Sequence, residues 1–248
     1  MRCYCVIINN SLYILAEQNN LPNNQYLDAA TLDWIIEKGV EAGLSFNEID
    51  KEELAPILSS LDRAYRYASQ FLFDDAHYAR GSRARATIHG DLHAYRVSLL
   101  ASAISSVKPY DVSVIMAGLY HDIARKNDKA DEGHGVRSSK RALRLNLIPT
   151  YDQKCIIEAI SHHEDELLDV QKNELALLVK TADALDRFRL PKIKWWPDKE
   201  KMQYVPSTTI FKVAYWLMLD SELEFIKTKD AQHSISLALT EIKRRAGV

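Results

Sequence analysis

The side chains in this sequence best suited to chemistry are histidines and aspartates set at the ends of apolar runs. His121 and Asp122 are adjacent, and they follow an apolar run, Val112 to Leu119, broken only by Ser113. His93 shares a helical face with Val97, Leu100 and Ile104. His163 continues the face of Ile156, Ala159 and Ile160, while His162 aligns with Cys155 and Ala159. Asp183 follows Val179 by one turn and Asp186 follows it by two. Four expected helices thus each carry His or Asp along an apolar face. A buried charge without a partner costs several kcal/mol, and a shared cation is one economical partner. Imidazole and carboxylate together suit zinc, iron, manganese, cobalt or nickel, and magnesium is also compatible; no thiolate is positioned to make a softer site.

Five local strings carry a family resemblance: HAYRV at 93–97, GLYHDIAR at 118–125, GHGVRSS at 133–139, SHHED at 161–165 and TADALDR at 181–187. In this order they resemble the HD superfamily of metal-dependent phosphohydrolases, over about residues 85–190. The resemblance implies an all-α helical bundle whose metal is held by His93, His121, Asp122 and Asp183. Members with two metals imply that His134, with His162 or His163, holds a second ion, with Asp122 as the bridge. Helical spacing separates His162 from His163 by about 100°, which leaves the choice between them open. The stretch IHGDLHAYRV is also similar to the start of the phosphodiesterase domain of SidE-type effectors, but this chain keeps a complete HD-type ligand set, so no residue role follows from that.

The basic residues near these strings suit phosphate oxygens, whose charge guanidinium and ammonium groups stabilise. Arg125 and Arg187 are the expected catalytic partners of Asp122, and Arg96, Lys126 and Arg137 the expected substrate contacts. His89 lies four residues before His93 with Gly90 between them; it would cap a helix or touch substrate, and alone it reads as structural. His77 and His233 read as surface or packing residues. Asp128 and Asp131 would orient water or cap the next helix. Trp195-Trp196 reads as the cover of a core edge, and Phe211, Tyr215, Trp216, Leu219 and Phe225 as core or an oligomer interface.

These groups need a scaffold. The chain has 248 residues, enough for one large domain with an appendage. A net charge of −2 gives no electrostatic case for nucleic acid, and no apolar stretch approaches the ~20 residues of a membrane span. The N-terminal stretch lacks the layout of a signal peptide. Three cysteines, Cys3, Cys5 and Cys155, argue against a disulfide framework and for a reducing, cytoplasmic setting; C-x-C at Cys3 and Cys5 reads as alternate strand residues rather than a metal pair. Residues 3–15 read as a β-hairpin turning at Asn9-Asn10. Helices are expected at 31–42, 53–73, 91–106, 111–126, 136–146, 152–165, 172–189, 208–227 and 230–245. The expected division is 1–82, a hairpin and covering helices, and 83–248, the metal-binding helical domain.

The leading expectation is hydrolysis of a small phosphomonoester or phosphodiester, nucleotide-like, with one or two divalent ions. A di-iron oxygenase of the same superfamily is the alternative. A non-catalytic nucleotide-sensing or protein-interaction module is the third.

Overall fold

The computed structural model describes residues 3–8, 11–16, 29–46, 49–85, 87–105, 112–150, 152–169, 173–190 and 192–247. Two short strands, β1 (Cys3–Ile8) and β2 (Ser11–Ala16), pair antiparallel in a register that sets Cys3 opposite Ala16 and Ile8 opposite Ser11. The turn expected at Asn9-Asn10 and the side chains of Cys3 and Cys5 lie outside the described residues. Everything else regular among the described residues is helical: α1 (Ala29–Glu41), α2 (Lys51–Ala68), α3 (Ser82–Arg85), α4 (Asp91–Ile104), α5 (Val112–Tyr120), α6 (His134–Arg144), α7 (Gln153–His162), α8 (Glu174–Leu185), α9 (Thr208–Thr228) and α10 (Ala231–Ala246). The fold class is all-α. None of these helices is long and apolar enough to cross a membrane.

Local sequence explains the helix ends. Asp50 caps α2 by accepting from the Glu52 and Glu53 amides, Ser207 caps α9 through the Ile210 amide, and Asp230 caps α10 through the His233 amide. His77 closes a capping box with Asp74, so both outlying histidines sit at helix starts. Several expected helices end earlier, among them the one expected over 53–73, which stops at Ala68, and the one over 152–165, which stops at His162; two of the early ends bear on the site. The one expected over 111–126 stops at Tyr120, and His121 and Asp122 lie in the turn beyond it. There the His121 ring takes the Gly118 carbonyl that a continuing helix would use. The one expected over 172–189 stops at Leu185 and tightens into a 3₁₀ turn, Asp186–Arg189.

Helix α4 is the axis of the molecule. It is buried on nearly every face and packs against α2, α5, α8, α9 and α10. One apolar cluster runs from Leu32 on α1 to Ala246 on α10, crossing residues 82–83 without a break. Phe211, Tyr215, Trp216, Leu219 and Phe225 are all in it. Trp196 is buried, donates to the Leu190 carbonyl and meets Trp34 and Phe188 edge-on; its neighbour Trp195 is exposed, with Lys192 over its ring.

Two glycines set how closely the site-bearing helices approach. A Cβ on Gly118 of α5 would lie 2.6 Å from the Ser98 Cα of α4. A Cβ on Gly135 of α6 would lie 2.6 Å from the Ile160 carbonyl oxygen of α7. Each pair of backbones therefore touches directly beside the histidines it carries. Gly118→Ala is expected to push α5 off α4 and lower stability by about 1–3 kcal/mol, read as a lower urea midpoint; an unchanged midpoint would contradict this contact.

Candidate metal centre

Seven side chains from five places converge. His89 comes from the turn before α4 and His93 from its first turn. His121 and Asp122 follow α5, His134 opens α6, His163 follows α7, and Asp183 lies in the last turn of α8. His93, His121, Asp122, His134 and His163 are buried.

The hydrogen bonds on the outer side of these rings decide what faces inward. His121, His134 and His163 each place Nδ1 2.7–2.8 Å from a main-chain carbonyl, of Gly118, Asp131 and Ile160 respectively. His93 places Nδ1 2.7 Å from Asp186 Oδ2. Carbonyls and carboxylates only accept, so all four Nδ1 atoms carry the proton. In the neutral rings the Nε2 atoms carry lone pairs, yet they meet in pairs: His93 and His121 at 3.1 Å, and His134 and His163 at 3.0 Å, with Arg125 NH1 3.3 Å from His134 Nε2. Two lone pairs that face one another need a proton or a cation between them.

Asp122 lies between the two pairs. Its Oδ2 is 2.8 Å from His89 Nδ1 and 3.6 Å from both His93 and His121 Nε2. Its Oδ1 is 3.1 Å from His134 Nε2, but the angle makes no hydrogen bond, and this buried oxygen has none among the described residues. Asp183 Oδ1 is 3.4 Å from His93 Nε2. Three overlapping sets, His89–His93–Asp122, His93–His121–Asp183 and His121–Asp122–His163, each bring their ligand atoms within 4.8 Å of one another. These buried clusters could hold a metal ion.

The protonation states fit that use. Burial lowers the pKa of His121, takes His89 down to about 4 and takes His163 down to about 3. Burial would raise Asp122, but the surrounding histidines, His121 foremost, hold it well below the carboxylate range. Asp183 is held down against its burial by His93, Arg187 and His121. For His134 burial is opposed by Asp122, whose hydrogen-bonding reach and charge leave it raised. Neutral His89, His121 and His163 beside ionised Asp122 and Asp183 are in the donor state a divalent ion requires, whereas His134, drawn toward its protonated form by Asp122, would have to give up that proton to a metal. With nitrogen and oxygen donors and no sulfur, the set suits manganese, iron, cobalt, nickel or zinc better than magnesium.

Of His162 and His163, the geometry brings only His163 to the cluster. His162 turns outward to Asp165, 2.7 Å away, with its side chain 47% exposed. Arg125 sits beside the cluster: its NH1 is 3.3 Å from His134 Nε2 and 3.5 Å from Asp122 Oδ1, while Nε and NH2 are tied to the Asn127 and Lys129 carbonyls. Arg187 is 52% exposed, 3.9 Å from Asp183. Three expected substrate contacts are placed differently. Arg96 is 1% exposed and bonded to Asp186, Ser221 and Glu222, because α4 is enclosed on all sides; no substrate reaches it. Arg137 braces the loop before α6 through Asp131, Glu132 and Ala124. The exposed Lys126 gives its amide to Asp131, and no contact joins its side chain to the cluster. Asp128 pairs with Arg80.

Glu164 escaped the sequence reading, and His89 and Asp186, which it noted, stand in roles it did not give them. His89, expected to be structural, touches Asp122. Glu164 lies 2.9 Å from His134 Nδ1 and accepts from the Gly133 and Gly135 amides. Asp186 backs His93. For Glu164 and Asp186 the available signal was a carboxylate within three residues of a candidate ligand; for His89 it was the H-x-x-x-H spacing. Comparison of the chain with protein-family models, with curated proteins and with solved structures gives no match.

Chelator-stripped protein is expected to gain thermal stability on adding manganese or zinc, by about 2.7 kcal/mol at a hundredfold excess over Kd. His162→Ala should keep that shift and His163→Ala should lose most of it. The opposite pattern in a thermal melt would reverse the ligand assignment.

Proposed function

We propose that this chain is an HD-type metal-dependent phosphohydrolase acting on a small phosphate ester, nucleotide-like in class. The reading is supported by the five strings in HD order, an all-α fold and the convergence of His93, His121, Asp122 and Asp183. The observation that carries it furthest is Arg125. A guanidinium whose Nε and NH2 are held by two main-chain carbonyls, and whose NH1 lies against His134 Nε2 and Asp122, puts positive charge where an anion bound at the cluster would meet it.

A divalent ion held by these residues would supply a Lewis acid and lower the pKa of bound water. Asp122 keeps an ionised carboxylate between the two histidine pairs. His93, His121, His134 and His163 present Nε2 lone pairs inward, fixed by the bonds on Nδ1. Arg125 would neutralise a phosphoryl oxygen with NH1, which now lies against His134 Nε2, and Arg187 at the Asp183 side supplies a second, looser positive group. A reducing, cytoplasmic setting is part of the same proposal, supported by Cys155 being free.

His121→Ala and Asp122→Ala should abolish hydrolysis of a panel of nitrophenyl phosphates and nucleotides while remaining folded by circular dichroism. Arg125→Ala should lower kcat/KM by roughly 10²–10³-fold, as loss of one charge-stabilising donor does, with Arg187→Ala milder. Full activity in Asp122→Ala would sink the mechanism. The His134–His163 pair on the far side of Asp122 favours a second reading, the di-iron oxygenase. Substrate-dependent oxygen uptake by iron-loaded protein, with no phosphate release, would select it.

A further inference from the structure

We propose that Asp186 is a positioning residue that locks His93 as the Nδ1–H tautomer and so aims its Nε2 lone pair at the metal centre. This rests on the reading of the His/Asp cluster as a metal site.

The stretch Thr181–Asp186 reads TADALD. Its two aspartates grip the two nitrogens of one imidazole. Asp183 Oδ1 is 3.4 Å from His93 Nε2, and Asp186 Oδ2 is 2.7 Å from His93 Nδ1. The three-residue spacing spans the end of α8 and the start of the 3₁₀ turn, which sets one carboxylate at each edge of the ring. Asp186 is 0% exposed, and a buried carboxylate alone would protonate or be excluded. Here two guanidiniums surround it. Arg96 reaches Oδ1 with Nε at 2.5 Å and Oδ2 with NH2 at 3.2 Å. Arg189 NH1 lies 3.2 Å from Oδ2. A carboxylate kept ionised in this way only accepts, so the ring beside it has to donate from Nδ1.

The same network holds the frame on both sides. Arg96 continues to Ser221 at 3.2 Å and Glu222 at 2.8 Å on α9. Arg189 donates to the Ile88 carbonyl at 2.9 Å, the residue before His89. One buried carboxylate thus fixes the His93 ring and, through Arg189, the backbone that delivers His89. This explains why two fully buried arginines, which contact no ligand, lie behind the cluster.

The test is the histidine tautomer, read by two-bond nitrogen–proton correlation on ¹⁵N-histidine-labelled protein stripped of metal at pH 8. The His93 signal is assigned by its disappearance in His93→Gln. Wild type should show His93 protonated at Nδ1. Asp186→Asn, whose amide can donate to Nδ1, should lose that tautomer and bind zinc, in competition with a chromophoric chelator, roughly 10–100-fold more weakly. A merely structural role would lower the melting temperature and leave the tautomer as it was. His93 as the Nε2–H tautomer in wild type, or wild-type zinc affinity in a folded Asp186→Asn, overturns the proposal. Should Asp186→Asn fail to fold, the wild-type tautomer decides alone. A wild type that shows the Nδ1–H tautomer but binds no zinc, manganese, iron, cobalt or nickel would keep the Asp186 lock and overturn the metal reading, so the two failures are distinct.

Discussion

The structure depends on one electrostatic constraint: imidazole lone pairs that face each other inside the protein. His93 against His121, and His134 against His163, each bring two Nε2 atoms to about hydrogen-bond distance with both ring protons engaged on the far side. Such a contact is repulsive unless something positive lies between the atoms. Asp122 adds negative charge at the midpoint, and its buried Oδ1 lacks a hydrogen bond among the described residues. Nitrogens and oxygens packed this way could hold a cation.

The rest of the fold keeps that arrangement from relaxing. Without the main-chain carbonyls on three of the rings and Asp186 on the fourth, a ring flip would relieve the repulsion. The flip is prevented on the outer side, where turning a ring would strand a buried acceptor. Gly118 and Gly135 let α5 reach α4 and α6 reach α7 at backbone contact, so the rings they carry have no room to separate. Behind His93, Arg96 and Arg189 balance the charge of Asp186. Buried ion pairs of this kind contribute little net stability; their effect here is to fix the orientation of the His93 ring.

Much of this was legible in the sequence, and the limits have physical causes. His93, His121, Asp122 and Asp183 stood out because polar side chains at the ends of apolar faces need partners. The helices were legible from period and caps, with errors where a side chain took over a backbone acceptor, as His121 does at Gly118. His162 and His163 are neighbours on one helix end, so only three-dimensional packing separates them. Arg96 looked like a substrate contact because it lies one turn from His93; that inference assumed α4 had a solvent face near the site, and it has none. His89 was set aside because Gly90 breaks the helical register, yet the turn bends its ring back onto Asp122. Local spacing predicts which residues share a face, but it does not report what the opposite wall of the cavity carries.

The most direct measurement is a count of bound metal per chain, by elemental analysis of protein expressed and purified without chelator, then stripped and reloaded. At least one divalent ion per chain is expected, rising to two when both histidine pairs are filled. Protein that holds none as purified, and takes up none of manganese, iron, cobalt, nickel or zinc on reloading, would contradict the central claim and leave the facing nitrogens to be bridged by protons alone.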